Sequence, residues 1–402
     1  MIHKNIFFPA LVICLLVCLL MGFVLVLQTL CQKDLYFINK AFLGYDYYNF
    51  YQASICVENG LSPYAFPLHM VPPIPSILGT PLVPLGFLNA RWIIVILVLL
   101  TTIFFYWIMV SYFAPKETQD KWAILACGFA SLFLSYPFLF LLDRANVDSF
   151  AVFFMCLLLV YSHKSVLLSG MLLTLAVCFK VYPALLLLPL AIFKKNKILL
   201  WSGIFLLIFI AITPGYWVDF LNRISSRRAY FRTDENGSIA CTFFWIGSFA
   251  ESILFLIAGW KIDLALFFNY LSSLCYAGLL ITILWIDVKS KEVKEEKDYV
   301  WRCLWYFPFM VAIPQLAHHY ELVILFAMIP AICHLWVQDN TKTQQIFLML
   351  ICVGIALAQT QAVAMQKLTQ SMIPHFIPGF GLFLVMIGCT FYKVSSFVVK
   401  LK

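Results

Sequence analysis

The sequence predicts an all-α polytopic membrane protein, and two observations carry this prediction. Hydrophobic residues make up 63% of the 402 positions, charged residues make up 11%, and the mean hydropathy is +0.93. Apolar runs long enough to cross a hydrocarbon core of ~30 Å recur along the chain, and no polar stretch is long enough to fold by itself. We therefore expect a single membrane-embedded domain over residues 1–402, without a soluble catalytic domain.

The apolar runs, taken in order, define the predicted elements. The first run, Phe7 to Cys31, is too long for the core of a signal peptide and indicates a retained anchor. Val71 to Leu88 and Thr242 to Trp260 are interpreted as re-entrant or interfacial elements on the outer face. Further runs bring the total to about twelve predicted crossings. These runs are Trp92 to Phe113, Trp122 to Leu142, Val147 to Tyr161, Val166 to Cys178, Val181 to Phe193, Ile198 to Ile212, Leu264 to Ile286, Val300 to Gln315, Glu321 to Val337, Ile346 to Thr360 and Ile377 to Tyr392.

Basic residues predict the orientation, because cytoplasmic loops of membrane proteins are enriched in Lys and Arg. With the N-terminus inside, the Lys-rich loops and the C-terminal tail also lie inside. We thus expect a multi-pass protein of the plasma membrane or cell inner membrane whose site faces the exterior or the periplasm. The predicted outer loop from Gly215 to Cys241 is an exception to this distribution, since it carries several arginines including Arg228. These arginines are either functional or ordinary solvated charges.

Several classes of function lack their sequence signature. Thirteen cysteines are scattered without a C-x-x-C pair or a metal-ligand spacing, and they indicate small core residues. There is no Walker A sequence, Gly-rich dinucleotide loop, G-x-S-x-G or H-E-x-x-H motif. No D-x-D motif occurs, so we expect no metal. The net charge of +8 suits contact with anionic membrane lipids, and we expect no nucleic acid partner.

Polar side chains at or near membrane depth are costly, and they are therefore candidates for function. With the orientation above, they cluster on the outer face. Asp46 lies in the Tyr-rich segment "GYDYYNFY", and the other candidates come from "DRANVDS", "CFKVYPA" and "QLAHHYE". They are Asp143, Arg144, Asn146, Asp148, Lys180, His318 and His319.

Lys180 stands where two unusually short predicted spans meet. Helices of ~13 residues rise only ~20 Å, so their junction should be recessed at the floor of an outward-opening cavity. An ammonium group in such a place needs an anion. The alternative is a lysine that pairs with one of the nearby acids.

A recessed outer cavity with cations and one carboxylate suits a lipid-linked sugar phosphate attacked by an acceptor hydroxyl. The cations would hold the phosphate, and the carboxylate would take the proton. Cytoplasmic nucleotide sugars do not reach the outer leaflet, so the donor would be a sugar already carried on a lipid.

Six segments in this order resemble glycosyltransferase family 87, the polyprenol-phosphate-mannose-dependent mannosyltransferases of the GT-C superfamily. They are "NGLSPY" after an acidic Tyr-rich loop, "VPPIPSILGTPL", "RANVDSF", "GMLLTLAVCFKVYPALLLLPL", "NGSIA" and "IPQLAHHYEL". The resemblance covers most of the chain and implies a GT-C-type helical bundle. Two positions depart from the family's pattern, because Ala145 replaces a more usual glycine and Gly237 replaces a frequent glutamine.

The resemblance implies that Asp46 is the catalytic base of an inverting hexosyl transfer that uses no metal or other cofactor. It also implies that the donor phosphate meets the histidine turn, and either His318 or His319 could face the site. Lys180 and Arg144 are the other cations assigned to the phosphate. Further candidates for substrate binding are Tyr48, Tyr64, Asn146, Asp148, Tyr182 and Arg228.

Other interpretations of these residues and of the whole chain stay open. Asp46 could cap a short outer helix, and the tyrosines could form an interfacial aromatic belt. A lipid or sugar transporter or flippase would also have recessed charges and broken helices, although it should place polar residues on both sides of the midplane. Another GT-C enzyme, such as an oligosaccharide ligase or a lipid A glycosyltransferase, would differ in its donor. The sugar, the acceptor (a glycolipid, a glycan or a protein) and the oligomeric state are not predicted.

Overall fold

The computed structural model describes residues 5–30, 44–114, 118–226, 239–258, 264–290, 295–312, 319–338, 341–360 and 376–401. These segments are almost entirely helical, and no strand occurs in them. A helix pairs its backbone N–H and C=O groups internally, which is what a chain in lipid requires. The prediction of an all-α membrane protein is confirmed.

The helices follow the apolar runs in chain order. They are α1 Phe8–Leu30, α2 Tyr45–Glu58, α3 Ile74–Gly79, α4 Gly86–Phe113, α5 Thr118–Leu134, α6 Tyr136–Arg144, α7 Asp148–Tyr161, α8 Val166–Phe179, α9 Leu187–Ile192, α10 Asn196–Ile212, α11 Pro214–Ser225, α12 Ile239–Ala258, α13 Leu264–Lys289, α14 Glu296–Leu304, α15 Phe307–Ala312, α16 Ile329–Trp336, α17 Lys342–Ala358 and α18 Phe376–Leu401. Short 3-10 helices occur at Pro63–Ala65, Thr80–Leu85, Tyr182–Leu186 and His319–Met328.

The length and composition of the described helices identify candidate membrane spans. Within the described residues, three stretches are long and apolar enough to span a membrane, namely Ile74–Phe113, Tyr270–Lys289 and Ile377–Val399. The number rises to five if each of two bent helix pairs is one span. The estimate of about twelve crossings stays a prediction.

Prolines explain why several predicted spans are divided. Pro183, Pro214 and Pro330 each stand in the first turn of a helix, where a missing backbone N–H costs nothing. The predicted span from Val181 to Phe193 is therefore a 3-10 helix followed by α9. At Pro214 the chain turns by 100° between α10 and α11. Because this turn is so sharp, α11 is a separate helix and not a continuation of α10.

The contacts divide the chain into two compact units. One unit, called here the middle unit, comprises Phe37–Met109 and Leu139–Arg228. The other, called here the terminal unit, comprises Met1–Tyr36, Val110–Phe138 and Ala229–Lys402. The division falls within α4 and within α6, so the chain passes between the units inside these helices.

In the middle unit, α8 packs against both α7 and α10. A Cβ atom on Gly170 of α8 would lie 2.6 Å from Cβ of Trp201, so only glycine allows the observed approach to α10. The Thr174 hydroxyl then donates to the carbonyl oxygen of Ser202 at 2.9 Å. These contacts fix α8, and with it the position of Lys180 directly after its last residue.

The terminal unit is built around a similar close approach between α17 and α18. A Cβ atom on Gly354 would lie 2.7 Å from the carbonyl oxygen of Gly381, and one on Gly381 would lie 2.5 Å from the backbone nitrogen of Ala358. Small residues let helix backbones meet where lipid tails would otherwise compete for the apolar surface. This contact holds the C-terminal helix in place.

His69 joins the 3-10 helix Pro63–Ala65 to α3 in the middle unit, outside the candidate spans. Its side chain is 1% exposed, shares a 3.1 Å hydrogen bond between Nε2 and the Ser76 hydroxyl, and packs against the rings of Tyr64 and Phe50. Burial, with a smaller contribution from Arg223, lowers the pKa of His69 to about 3. The imidazole is therefore neutral in the folded protein.

This depressed pKa predicts a loss of stability in acid. Unfolded His69 takes up a proton near pH 6.5, whereas the folded side chain does so only near pH 3, so its contribution is complete above pH ~6.5 and falls as the pH drops towards 3. At pH 4.5 the loss should be about 2–3 kcal/mol of unfolding free energy. Thermal unfolding in detergent from pH 7 to pH 4.5 measures it. His69→Gln should show a shallower pH dependence than the wild type, and parallel curves would contradict the assignment.

Candidate active site

The candidate site lies in the middle unit, where three segments bring polar side chains together. Asp46 stands in the first turn of α2. The turn between α6 and α7, residues 143–148, supplies the next group of side chains. Lys180 follows the C-terminal end of α8. The structure thus groups Asp46 with Arg144 and Asn146, and pairs Asp148 with Lys180.

Gly44 fastens the start of α2 to this turn. Its backbone N–H donates to the carbonyl oxygen of Asp143 at 2.6 Å, and its φ of 78° is a left-handed conformation that favours glycine. A Cβ atom on Gly44 would lie 2.6 Å from Cδ and 2.9 Å from Cγ of Arg91. Arg91 in turn stacks on the rings of Phe87 and Trp92. Glycine at this position therefore sets how closely Asp46 approaches the turn.

The turn itself is a Schellman motif that ends α6. The N–H of Asn146 donates to the carbonyl of Leu141 at 3.1 Å, and that of Ala145 donates to the carbonyl of Leu142 at 3.0 Å. Ala145 has a φ of 49°, the left-handed conformation usually taken by glycine at this position of the motif. Ala145 thus adopts a backbone conformation that glycine would adopt at lower cost.

Asn146 connects the turn to both neighbouring helices. Its Oδ1 accepts from the backbone N–H of Asp148 at 3.0 Å, at the start of α7. Its Nδ2 donates to Oδ2 of Asp46 at 2.7 Å. The side chain is 2% exposed, so this bridge is buried. The amide orients the Asp46 carboxylate and leaves its other oxygen on the side of Arg144.

The Asp46 carboxylate remains accessible beside a cation. Oδ1 lies 3.8 Å from a terminal nitrogen of Arg144, and the side chains of Asp46 and Arg144 are 19% and 16% exposed. The Arg144 guanidinium lies 4.8 Å from the centre of the Phe140 ring, which supports its position. A partly exposed carboxylate next to a guanidinium can accept a proton while a bound anion approaches the cation.

Lys180 and Asp148 form a buried ion pair. Nζ of Lys180 lies 2.9 Å from Oδ2 of Asp148, which is fully buried, and Tyr182 interacts with the same carboxylate. Of the two interpretations of Lys180, the one that pairs it with a nearby acid is therefore observed. The lysine side chain is still 14% exposed.

Asp143 is a further acid at the site. It is 8% exposed, and its Oδ1 has no hydrogen-bond partner among the described residues. It follows Leu142 at the end of a predicted span, and its own carbonyl holds Gly44. Burial distinguishes Asp143 and Asp148 from the accessible Asp46.

A polar groove of about 550 Å³ borders the 3-10 helix Pro63–Ala65 and α11. Tyr64 lines this groove, but its hydroxyl donates to the carbonyl oxygen of Val71 at 2.7 Å. Arg223 donates to the carbonyl oxygen of Tyr64 at 2.9 Å and lines the groove together with Asp219 and Asn222. Tyr48 is 41% exposed and meets the rings of Phe66 and Phe87 edge-on. The tyrosines therefore have packing roles in addition to any contact with a ligand.

Three sequence-predicted residues are not placed with this group. Arg228 and His318 lie outside the described residues. His319 begins the 3-10 helix His319–Met328 of the terminal unit, and its side chain is also outside the described set. No group of three or more His, Cys, Asp or Glu side chains suited to a metal occurs in the part of the chain that the structure describes.

Sequence reasoning missed Arg91 and, apart from Arg223 as one of the arginines of the loop from Gly215 to Cys241, the groove face of α11. Arg91 was overlooked because it directly precedes a long apolar run and resembles an ordinary flanking charge. The spacing of Asp219, Asn222 and Arg223 is helical and places them on one face, a signal that could have been found.

A comparison with models of known protein families gives a match that covers most of the middle unit. The model of glycosyltransferase family 87 matches residues 71–294, more than half of the chain. No curated protein matches the sequence. The matched range includes the 143–148 turn and Lys180, whereas Asp46 and the histidine pair lie outside it.

Replacement of Gly44 by alanine should test the anchoring of α2. Gly60 is the matched control, because it has a similar φ of 73° but open space where a Cβ would point. Both variants pay the cost of a left-handed alanine, roughly 1 kcal/mol. Gly44→Ala should lose roughly 1–3 kcal/mol more in unfolding free energy, because Arg91 must move. Equal losses in denaturant or thermal unfolding would show that the contact with Arg91 is unimportant.

Proposed function

The chain belongs to glycosyltransferase family 87, and we propose that this membrane glycosyltransferase moves a hexose, mannose being the first candidate, from a polyprenyl-phosphate donor to an acceptor hydroxyl. The proposed reaction inverts the anomeric carbon and uses neither a metal nor another cofactor. It takes place on the periplasmic or exterior side of the plasma or inner membrane, where the basic loops predict the site to face. Membrane lipids and the two substrates are the proposed partners.

One observation supports Asp46 as the base. Of the three acids grouped in the middle unit, Asp148 is fully buried and paired with Lys180, and Asp143 is 8% exposed. Asp46 keeps a 19% exposed side chain, and one of its oxygens is held by Asn146. A general base must reach the proton that it removes. Asp46 meets this requirement better than its two neighbours.

The proposed step needs a single carboxylate. Asp46 takes the proton of the acceptor hydroxyl while the oxygen of that hydroxyl forms the new bond to the anomeric carbon. The bond between that carbon and the phosphate oxygen breaks on the opposite face of the sugar. Its electrons leave with the polyprenyl phosphate, whose charge the cations of the site stabilise. No second carboxylate is needed, because phosphate is already a good leaving group.

Arg144 and Lys180 are the described cations proposed for the donor phosphate. Arg144 lies next to the Asp46 carboxylate, so a phosphate bound to it would be close to the base. An ammonium group has three N–H donors, so Lys180 can hold Asp148 and still donate to a phosphate oxygen. His318 or His319, together with Arg228, would complete the set, as the resemblance implies.

The groove beside α11 is the proposed binding surface for the acceptor. Its lining by Asp219, Asn222 and Arg223 offers both donors and acceptors of hydrogen bonds, which suits the hydroxyl groups of a sugar. Tyr64 packs on His69, and His69 packs on Phe50 of α2. Phe50 lies one helical turn after Asp46, on the same face of α2. An extended acceptor could therefore occupy the groove and reach the base with its end.

The direct test is transfer of label. Purified protein is incubated with radiolabelled polyprenyl-phosphate-mannose and a lipid extract of the cell envelope. A labelled product that forms equally in the presence of EDTA supports the proposal. Loss of transfer in EDTA that Mg²⁺ or Mn²⁺ restores would contradict metal independence.

Asp46→Asn should lower turnover by roughly 10²- to 10⁴-fold, the usual contribution of a general base. Asparagine keeps the shape and can still accept from Asn146, so stability should change little. Glu58→Gln is the matched control, because Glu58 is an exposed acid in the last turn of the same helix. Near-normal turnover by Asp46→Asn would transfer the role of base to Asp143, Asp148 or Glu58.

Replacement of Lys180 should lower both the stability of the protein and its affinity for the donor, and a double variant separates these two effects. Lys180→Ala leaves Asp148 buried without its partner, which should cost about 3–5 kcal/mol. Lys180→Met with Asp148→Leu removes both charges and should recover most of that stability. If Lys180 holds the donor phosphate, the double variant should bind the donor more weakly than the wild type in a titration, although its stability has recovered. Wild-type donor affinity in the stable double variant would remove Lys180 from the donor site.

A further inference from the structure

A second polar cavity, of about 400 Å³, lies in the terminal unit. It is lined by the last turns of α13, by α14, by Gln338 and Gln344 before and at the start of α17, and by the C-terminal part of α18. Two of the three full-length candidate spans, Tyr270–Lys289 and Ile377–Val399, end at this cavity. Because spans end where the hydrocarbon core meets the headgroups, the cavity lies at the depth of lipid headgroups.

The described side chains at the floor of the cavity include two bases, Arg302 and Lys393, and one acid, Asp287. Asp287, which is fully buried, accepts from Nε of Arg302 at 3.1 Å, from the Tyr306 hydroxyl at 2.7 Å and from Nζ of Lys393 at 2.5 Å. Arg302 also donates to the carbonyl oxygen and the hydroxyl of Ser290. Arg302 and Lys393 are 6% and 2% exposed. Among the residues that the structure describes, two buried basic side chains thus share the Asp287 carboxylate, and the formal charges of these three side chains sum to one positive unit.

The rim of the same cavity carries the opposite sign. Glu295 is exposed, and Asp298 is partly exposed and accepts from the Trp301 indole N–H at 3.1 Å. The described lining thus changes from positive at its buried floor to negative at its open side. A simple anion would be attracted by the floor and repelled by the rim. A simple cation would be attracted by the rim and repelled by the floor.

The cavity also has an apolar and aromatic wall. Ile286, Phe397 and Val399 line it, together with the aromatic side chains of Trp301 and Tyr392. Trp and Tyr are enriched where proteins meet the headgroup region. Val399 is 48% exposed and Trp285, one residue before the cavity lining, is 52% exposed, so apolar surface continues outward from the cavity. An occupant with a polar end and an apolar end fits this wall.

We propose that this cavity binds the headgroup of a zwitterionic aminophospholipid of the phosphatidylethanolamine type. The phosphate lies towards Arg302 and Lys393, the ammonium group lies towards Glu295 and Asp298, and the glycerol and acyl chains follow the apolar wall. Phosphate shares its chemistry with the free inorganic ion, but only the lipid satisfies the negative rim and the apolar wall. The basic loops predict that this end of the helices faces the cytoplasm.

Binding to the delipidated, full-length protein in detergent tests the proposal. Phosphatidylethanolamine, phosphatidylglycerol and inorganic phosphate are added separately, and the bound lipid is counted by native mass spectrometry while the melting temperature is followed. We expect phosphatidylethanolamine to bind most tightly and to raise the melting temperature most. An equal effect of inorganic phosphate would overturn the lipid assignment, and equal binding of the two lipids would overturn the role of the rim.

A rim variant gives the sharper result, because these side chains are accessible and their replacement leaves the buried ion pairs intact. Glu295→Gln with Asp298→Asn should weaken phosphatidylethanolamine binding roughly tenfold and improve that of phosphatidylglycerol. Glu296→Gln is the matched control, because Glu296 is exposed between the two rim acids and does not line the cavity. Unchanged lipid selectivity in the double variant, or the same change in the control, would overturn the proposal.

Discussion

The bridge from Asp46 through Asn146 to Asp148 determines how the described polar side chains of the middle unit are arranged. Asn146 accepts from the start of α7 and donates to α2, so one amide sets the distance between two helices that are remote in sequence. The backbone contact from Gly44 to Asp143 acts in parallel. Together they hold Asp46 beside Arg144. Two short-range contacts therefore give a flexible carboxylate a defined position, which is the condition for proton transfer to a bound hydroxyl.

Several features of the fold follow from the sequence because their causes are local. The apolar runs predict the long helices, since lipid requires internal backbone hydrogen bonds. The short run before Lys180 predicts α8, and the structure ends this helix directly before the lysine. The prolines that divide other runs are visible in the sequence as well, but an apolar run alone predicts one continuous span. The predicted span from Val300 to Gln315 is an example, because it is interrupted at Trp305 and Tyr306, between α14 and α15.

Features that depend on distant partners were not predictable in this way. Asp46 and Asn146 are 100 positions apart, and Asp287 and Lys393 are 106 positions apart. Sequence reasoning recognised Lys180 as a costly charge and left open whether an acid or a ligand balances it. Only the packing of α7 on α8 brings Asp148 to 2.9 Å from Lys180. The polar cavity of the terminal unit was missed for the same reason, because its acids and bases come from three separate helices.

The pairing of Asp148 with Lys180 also bears on how the protein is made. These residues flank a helical hairpin, with Asp148 opening α7 and Lys180 following α8, and residues 162–165 join the two helices. Each charge alone would oppose the transfer of its short helix into lipid. Paired, the two charges cancel, and the hairpin presents a much smaller electrostatic cost. The two helices should therefore leave the insertion machinery together as one unit, so that the charges destined for the site enter the bilayer already neutralised.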